Sequence, residues 1–183
     1  SAALACFNKH GYYKTSMDMI ADRARMTKRG LYYHFKSKDA LFIHLFNYMN
    51  EKFYAQIPLS ASEVQDPEAR LMLFVKIARR VLAEHSDFLK FSQEFISIGV
   101  RKPKIRKVMT SYYKEQVEKV SRIIELGVAS GTFIRVDPLT MARAIVLTTM
   151  GAFNVYFSLD ADFNLAEQHS FDIEQMIRGL KKQ

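Results

Sequence analysis

The sequence predicts an all-α protein, and three observations carry that expectation. Apolar residues recur at steps of three and four along most of the chain, the period of a helix that buries one face. No stretch alternates apolar and polar residues between turn residues, as a half-buried strand would. Only 7 Gly and 4 Pro stand among 183 residues, which leaves room for long regular elements joined by few tight turns. A hydrophobic content of 49% supplies a sizeable core, while the formal charge of +8 suits a polyanionic partner such as nucleic acid or an acidic membrane surface. Cys6 is the one cysteine, so no disulfide forms within the chain. There is no apolar leader and no uninterrupted apolar run of about 20 residues, so a cytoplasmic location and no membrane partner are expected.

Taken in order, Ala2 to His10 reads as a first helix that Gly11 stops. Thr15 is placed to cap a second, with Asp18 completing a capping box and Met17, Ile20, Ala21 and Ala24 as the buried face. After a break at Arg25 and Met26, Thr27 caps a third helix that turns Leu31 and Phe35 inward. Ser37 caps a fourth. The stretch "PLSASEVQD", Pro58 to Asp66, is the most turn-like in the chain and separates short helices from long ones. Beyond it, Leu71, Phe74, Val75, Ala78, Val81 and Leu82 form one stripe after Pro67. Another begins at Pro103, passes Ile105, Val108, Val117, Val120, Ile123 and Ile124, and ends near Gly131. From Asp137 to Leu159 the chain is apolar nearly all round. The organisation expected is a helix-turn-helix domain at 1–38, a connecting helix at 39–57, and a larger helical domain at 58–183.

Charge is concentrated in the first of these. Up to Lys38, eight cations (Lys9, Lys14, Arg23, Arg25, Lys28, Arg29, Lys36, Lys38) oppose Asp18 and Asp22, so +6 of the +8 lies there. Two helices joined by a tight turn place the second in the DNA major groove. With Leu31 and Phe35 facing the core, Lys28, Arg29, Tyr32 and Tyr33 cover the outward and N-terminal surfaces of that helix. Lys and Arg pair with guanine edges or phosphates, and Tyr hydroxyls donate to phosphate oxygens. Lys38 opens the next helix, a poor place for a cation unless something negative lies close by.

These residues also carry a resemblance. Thr15-Ser16, Ile20-Ala21, Thr27-Lys28, the run from Leu31 through Tyr32, Tyr33, His34, Phe35, Lys36 and Ser37 to Lys38, and Leu41-Phe42 resemble the DNA-binding domain of the TetR (tetracycline repressor) family. The match covers about the first 50 residues; beyond Pro58 only the helical pattern agrees. It implies a homodimer that binds double-stranded operator DNA through a three-helix domain, with repression relieved by a small-molecule effector. Thr15, Ser16, Tyr32, Tyr33, His34 and Lys38 would hold phosphates, with Thr27 capping and Lys28, Arg29 and Gly30 at the base edges. Two departures stand out. Arg25 occupies the turn position where the family usually has Gly, and a left-handed backbone there costs on the order of 1 kcal/mol. Many members have residues before the first helix, whereas Ser1 already stands at its start, so a basic arm is expected to be missing from this sequence.

Other functions fare less well. An enzyme needs a constellation, yet the chain has no His-Glu-x-x-His, Gly-rich phosphate loop or paired Cys, and no cofactor or metal is expected. A membrane-surface or structural helical protein is the stronger rival, since basic amphipathic helices also bind anionic lipid. In the larger domain, Phe88, Phe91, Phe95, Met109, Tyr112, Tyr113, Met150, Tyr156 and Phe157 are either ordinary core or the lining of a site for a hydrophobic or aromatic effector. The uncharged segment Ala144 to Leu159, with Phe171 to Leu180, is expected to pack on its two-fold mate, with Val146, Met150, Phe153, Ile173, Met176, Ile177 and Leu180 at the interface. In "RKPKIRK", Arg101, Lys102, Lys104, Arg106 and Lys107 crowd the start of a helix, where its dipole disfavours cations. A solvated loop and an anion site are the two readings left open.

Overall fold

A computed structural model describes residues 1–54, 66–159 and 161–182. Among these residues lie nine helices: α1 (Ala2–Lys14), α2 (Met17–Ala24), α3 (Lys28–His34), α4 (Lys38–Tyr54), α5 (Pro67–Glu84), α6 (Ser86–Gly99), α7 (Pro103–Ala129), α8 (Pro138–Ser158) and α9 (Leu165–Leu180). The all-α expectation holds; the one extended pairing among the described residues is an isolated bridge between Phe133 and Lys181. The turn expected at Pro58 to Asp66 lies outside the described residues except for Asp66, whose carboxylate accepts from the Ala69 N–H at 2.8 Å and opens α5.

The chain forms two compact units. The first joins Ser1–Ala55 to His85–Thr110, and the second joins Gln56–Glu84 to Ser111–Gln183. α6 and the first turns of α7 therefore belong to the same unit as the N-terminal helices.

In the first unit, Phe7, Phe42, Phe91 and Phe95 are almost wholly buried. Phe42 meets Phe7 at 4.7 Å, Phe91 at 4.9 Å and Phe95 at 5.0 Å between ring centres, and Phe46 stacks on Phe95 at 4.0 Å. Edge and offset contacts of this kind hold helices in one arrangement as well as excluding water. α1 departs from the expected stop. It continues to Lys14 across a kink at Gly11 (φ 72, ψ 168), a backbone that glycine adopts without strain. The kink frees the Tyr12 N–H, which donates to Glu94 Oε1 of α6 at 2.7 Å.

In the second unit, Leu71 and Val75 of α5, Val120 and Ile124 of α7, Ile145 of α8 and Ile173 and Ile177 of α9 share one core with Phe133. Pro138 lies in the first turn of α8, and the Asp137 carboxylate caps it by accepting from the Thr140 N–H at 2.7 Å. α7 ends at Ala129, and Gly131 (φ 77) turns the chain so that the Ile134 N–H reaches the Leu180 carbonyl at 2.7 Å.

Candidate nucleic-acid interface

Helices α2 and α3 are joined by a turn built around Arg25, whose backbone is left-handed (φ 54, ψ 38). The Met26 N–H donates to the Ala21 carbonyl at 2.9 Å and the Arg25 N–H to the Asp22 carbonyl at 3.1 Å, the paired bonds of a Schellman helix end. Those bonds offset the cost of a side chain in a conformation suited to glycine. Thr27 Oγ1 accepts from the Gly30 N–H at 3.0 Å and caps α3. A Cβ on residue 30 would lie 3.1 Å from that oxygen, so Gly30 makes room for the cap as well as a close approach from outside.

Leu31 is buried beneath α3, and Lys28, Arg29, Tyr32, Tyr33 and His34 are all exposed, Tyr33 by 76%. Phe35 is only half-buried, its ring 5.1 Å from that of His44. Lys36 lies near the same surface, donating to the Tyr33 carbonyl at 3.3 Å with its ammonium 5.8 Å from the Tyr33 ring centre. Lys28 pairs with Asp18 of α2 at 2.8 Å, and that hydrogen bond raises the Lys28 pKa. The result is a cationic and aromatic face on a short helix capped at its N-terminus by Thr27.

Two expected phosphate contacts are placed elsewhere. Thr15 is buried, with its hydroxyl donating toward the carbonyls of Cys6 (3.1 Å) and Gly11 (2.7 Å), and the cap of α2 is Ser16, which accepts from the Met19 N–H at 3.1 Å. Adjacent cap-forming residues made the register ambiguous in sequence; the kink at Gly11 carries α1 far enough for Thr15 to end it. Lys38 is turned inward. Its ammonium donates to the carbonyls of Tyr12 (2.6 Å), Tyr13 (3.2 Å) and Thr15 (2.7 Å) and stands 4.4 Å from the Tyr12 ring centre. The negative partner its position calls for is the carbonyl end of α1. Burial, followed by repulsion from Lys102, lowers its pKa.

Beside it is a cluster not anticipated from sequence. The Tyr12 hydroxyl donates to Asp39 Oδ1, and Lys102 bonds both Asp39 oxygens at 3.1 Å. Burial works to raise the Asp39 pKa, but the bonds from Tyr12 and Lys102 outweigh it and hold the carboxyl below its usual range. Arg106 donates to the carbonyls of Gly99 (3.2 Å) and Val100. Lys102 and Arg106, two of the five cations in "RKPKIRK", are thus matched by Asp39 and by the carbonyl end of α6, whereas Arg101, Lys104 and Lys107 are exposed. The sequence signal was present in the cations at helix starts; their acceptors lie far along the chain.

The aromatic residues expected to line one effector site divide between the units. Phe88, Phe91, Phe95 and Met109 belong to the first, where Phe91 and Phe95 are its core. Tyr112, Tyr113, Met150, Tyr156 and Phe157 belong to the second and are all half-buried. Composition could not separate the two groups because α6 carries its rings toward the N-terminal helices.

The expected interface residues divide as well. Val146, Ile173, Ile177 and Leu180 are buried within one subunit, and Met150, Phe153 and Met176 are half-buried. On a helix that is apolar all round, sequence does not say which side faces outward. The exposed apolar side chains of this region are Leu147, Val155 and Leu159 of α8 and its end, and Phe171 of α9.

A short capped bihelical unit with a cationic outward helix is the helix-turn-helix of DNA-binding regulators. Residues 1–45 match the family model for bacterial regulatory proteins of the tetR family. Among curated proteins, the HTH-type transcriptional regulator RutR of Escherichia coli (strain K12) is 28% identical over 140 residues, 75% of this chain and 64% of RutR, so the match spans less than two thirds of that relative's length. A TetR transcription regulator from Haloarcula marismortui has the same fold (TM-score 0.88, 22% identity, covering 99% of this chain and 95% of that one). So does the regulator FadR from Bacillus subtilis, solved with stearoyl-CoA (TM-score 0.81, 20% identity, 98% and 96% covered). Residues 1–45 thus match the DNA-binding domain of tetR-family regulators, and the chain as a whole shares the fold of TetR regulators.

Proposed function

We propose that this protein is a dimeric DNA-binding repressor, released from a palindromic operator when a hydrophobic or aromatic small molecule binds its second unit. The observation that carries the DNA reading is the exposed face of α3. Lys28, Arg29, Tyr32, Tyr33 and His34 project from a helix whose N-terminus is capped by Thr27 and whose inner side is anchored by Leu31. Arg29 and Lys28 stand in the first turn, where a recognition helix meets base edges, and Ser16, the cap of α2, takes a phosphate together with the Tyr hydroxyls. Dimerisation is supported by the exposed Leu147, Gly151 and Val155, which fall four residues apart on one side of α8, and by the exposed Phe171 of α9. Two copies related by a two-fold axis read half-sites about one helical turn (~34 Å) or a multiple apart.

The effector reading rests on the half-buried rings of the second unit. FadR, with the same fold, was solved with stearoyl-CoA, an apolar chain with an anionic head.

The test is selection of duplexes from a random pool, followed by titration of the selected site and of anionic lipid vesicles across a range of salt. A palindromic consensus bound more tightly than scrambled duplex supports the reading. Equal binding to any duplex, or preference for vesicles, defeats it.

A further inference from the structure

The inward face of α8 changes along its length. It begins with Ala142, Ile145 and Val146, all buried, and continues through Thr149, Phe153, Tyr156 and Phe157, which are only half-buried. The second set falls at steps of four, three and one, so all four share one side of the helix. Its rings form a cluster: Phe153 lies 6.2 Å from Phe157, Tyr156 lies 5.2 Å from Phe157, and Phe163 beyond the helix end lies 5.7 Å from Tyr156. The aliphatic core of the second unit thus gives way to partly covered aromatic rings.

Where the two meet stands His169 of α9, with no exposed surface. Its Nε2 is 3.0 Å from Thr149 Oγ1, and that hydroxyl donates to the Ile145 carbonyl at 3.0 Å. A threonine hydroxyl has one proton, so once it is given to Ile145 the oxygen must accept from Nε2–H. This network assigns the tautomer. Nδ1 is then a bare acceptor, and it has no hydrogen-bond partner. Burial holds the ring neutral by lowering its pKa to about 4, with Asp172 acting weakly the other way. A buried acceptor without a donor, held by Thr149 one turn of α8 before the incompletely covered rings begin, is the usual chemistry of a specificity-determining contact in an otherwise apolar ligand site.

We propose that His169 Nδ1 is the polar anchor of a small-molecule site at the aromatic end of α8, taking an uncharged aromatic ligand that donates one O–H or N–H. This rests on the reading that the protein answers to an effector, and it names the class: an aromatic alcohol or aromatic N–H compound, rather than an anion. Thr149 is the positioning residue, since it fixes which nitrogen is free.

The experiment uses the full chain and matched probes: phenol against toluene, indole against benzothiophene, and 2-naphthol against naphthalene. Each pair has one shape, and only the first member donates. The expected result is that at least one donor binds the wild type about tenfold more tightly than its partner, the worth of one buried hydrogen bond. His169→Phe, checked for folding by circular dichroism, loses that preference. Should it not fold, the ¹⁵N resonance of His169 Nδ1 in the wild type serves instead, moving on addition of the bound donor and not of its partner. Binding of each pair alike, no binding by any of the six, a preference kept in His169→Phe, or an unmoved resonance overturns the proposal. DNA affinity is measured in parallel. A donor that binds through His169 without altering it leaves the anchor standing and removes the effector-released repressor instead.

Discussion

The ring of Phe133 lies across the backbone of Gly127 so closely that a Cβ on residue 127 would stand 2.0 Å from Phe133 Cδ2. The Phe133 N–H also donates to the Gly127 carbonyl at 2.9 Å, so both backbone and ring close over the last turns of α7. Gly in a helix interior normally costs about 0.5–1 kcal/mol relative to Ala. Here the ordinary gain from Gly127→Ala is reversed: the substitution should lower stability by about 1–3 kcal/mol, the range for overpacking a core. Denaturant melts check it, and Phe133→Leu should lessen the penalty. A more stable Gly127→Ala protein would mean that the ring does not pack there.

The structure redefines what Lys38 should do. Three carbonyls at the end of α1 receive its ammonium, so Lys38→Met should destabilise the DNA-free protein, by about 1–3 kcal/mol if the loss matches that of a charge-assisted hydrogen bond. Weaker DNA binding would then follow for every sequence alike, through a displaced α1. If Lys38→Met melts like the wild type and only DNA affinity falls, Lys38 is a phosphate contact after all.

Asp18 holds Lys28 on the face proposed to read bases. Its carboxylate holds Lys28 at 2.8 Å, a pair that must open or shift for Lys28 to reach DNA. Asp18→Asn should therefore raise operator affinity more than Asp22→Asn, which removes the same charge from an exposed site on the same helix. Fluorescence anisotropy with both variants decides the matter. Equal gains would reduce the effect to long-range charge alone.

How far the fold was legible depended on whether each signal was local. The caps at Thr27 and Ser37, the helix end at Gly131 and the stripes of α5 and α7 each rest on a few neighbouring residues, and each formed as read. Arg25 was flagged by its position in the turn and is left-handed. Thr15 and Ser16 differ by one residue, and only the path of α1 through Gly11 decides between them. The acceptors of Lys38 and Lys102 and the partner of His169 lie roughly 20 to 60 residues away in sequence, beyond any periodicity. The outward side of α8 was hidden for another reason: a helix apolar on every side has no polar stripe to mark it.

For assembly, side-chain exposure now separates two kinds of substitution. Leu147 is 55% exposed and Phe171 is 59% exposed, whereas Val146 is 6% exposed. Leu147→Glu and Phe171→Glu should give folded monomers with weakened binding to a palindromic duplex. Val146→Glu should instead unfold the protein, because a carboxylate there would be buried without a partner. Sedimentation with circular dichroism distinguishes the outcomes. Dimers that survive both exposed substitutions would place the interface on another face.

The final expectation concerns acid. His169 titrates near 6.5 in the unfolded chain, and burial lowers it to about 4 in the folded one. Between these values the unfolded state binds more protons, so folding stability rises with pH through that window and is lost as pH falls through it. Above 6.5 the ring is neutral in both states and contributes no slope. Below about 4 it is charged in both, and the loss is complete. Acidifying from neutrality to pH 4 should cost about 3 kcal/mol at this residue. Asp172 opposes the shift without cancelling it, since its carboxylate favours the charged ring. Carboxylates such as Asp39, whose folded pKa is lowered, lose their contribution at more acid pH, so the two effects separate. Urea midpoints measured from pH 7.5 to 4 in the wild type and in His169→Gln read the difference. Gln keeps an amide donor for Thr149 but does not titrate, so its midpoint should fall less steeply over the window. Parallel curves for the two proteins would mean that His169 gains its proton without cost and is not sealed from water.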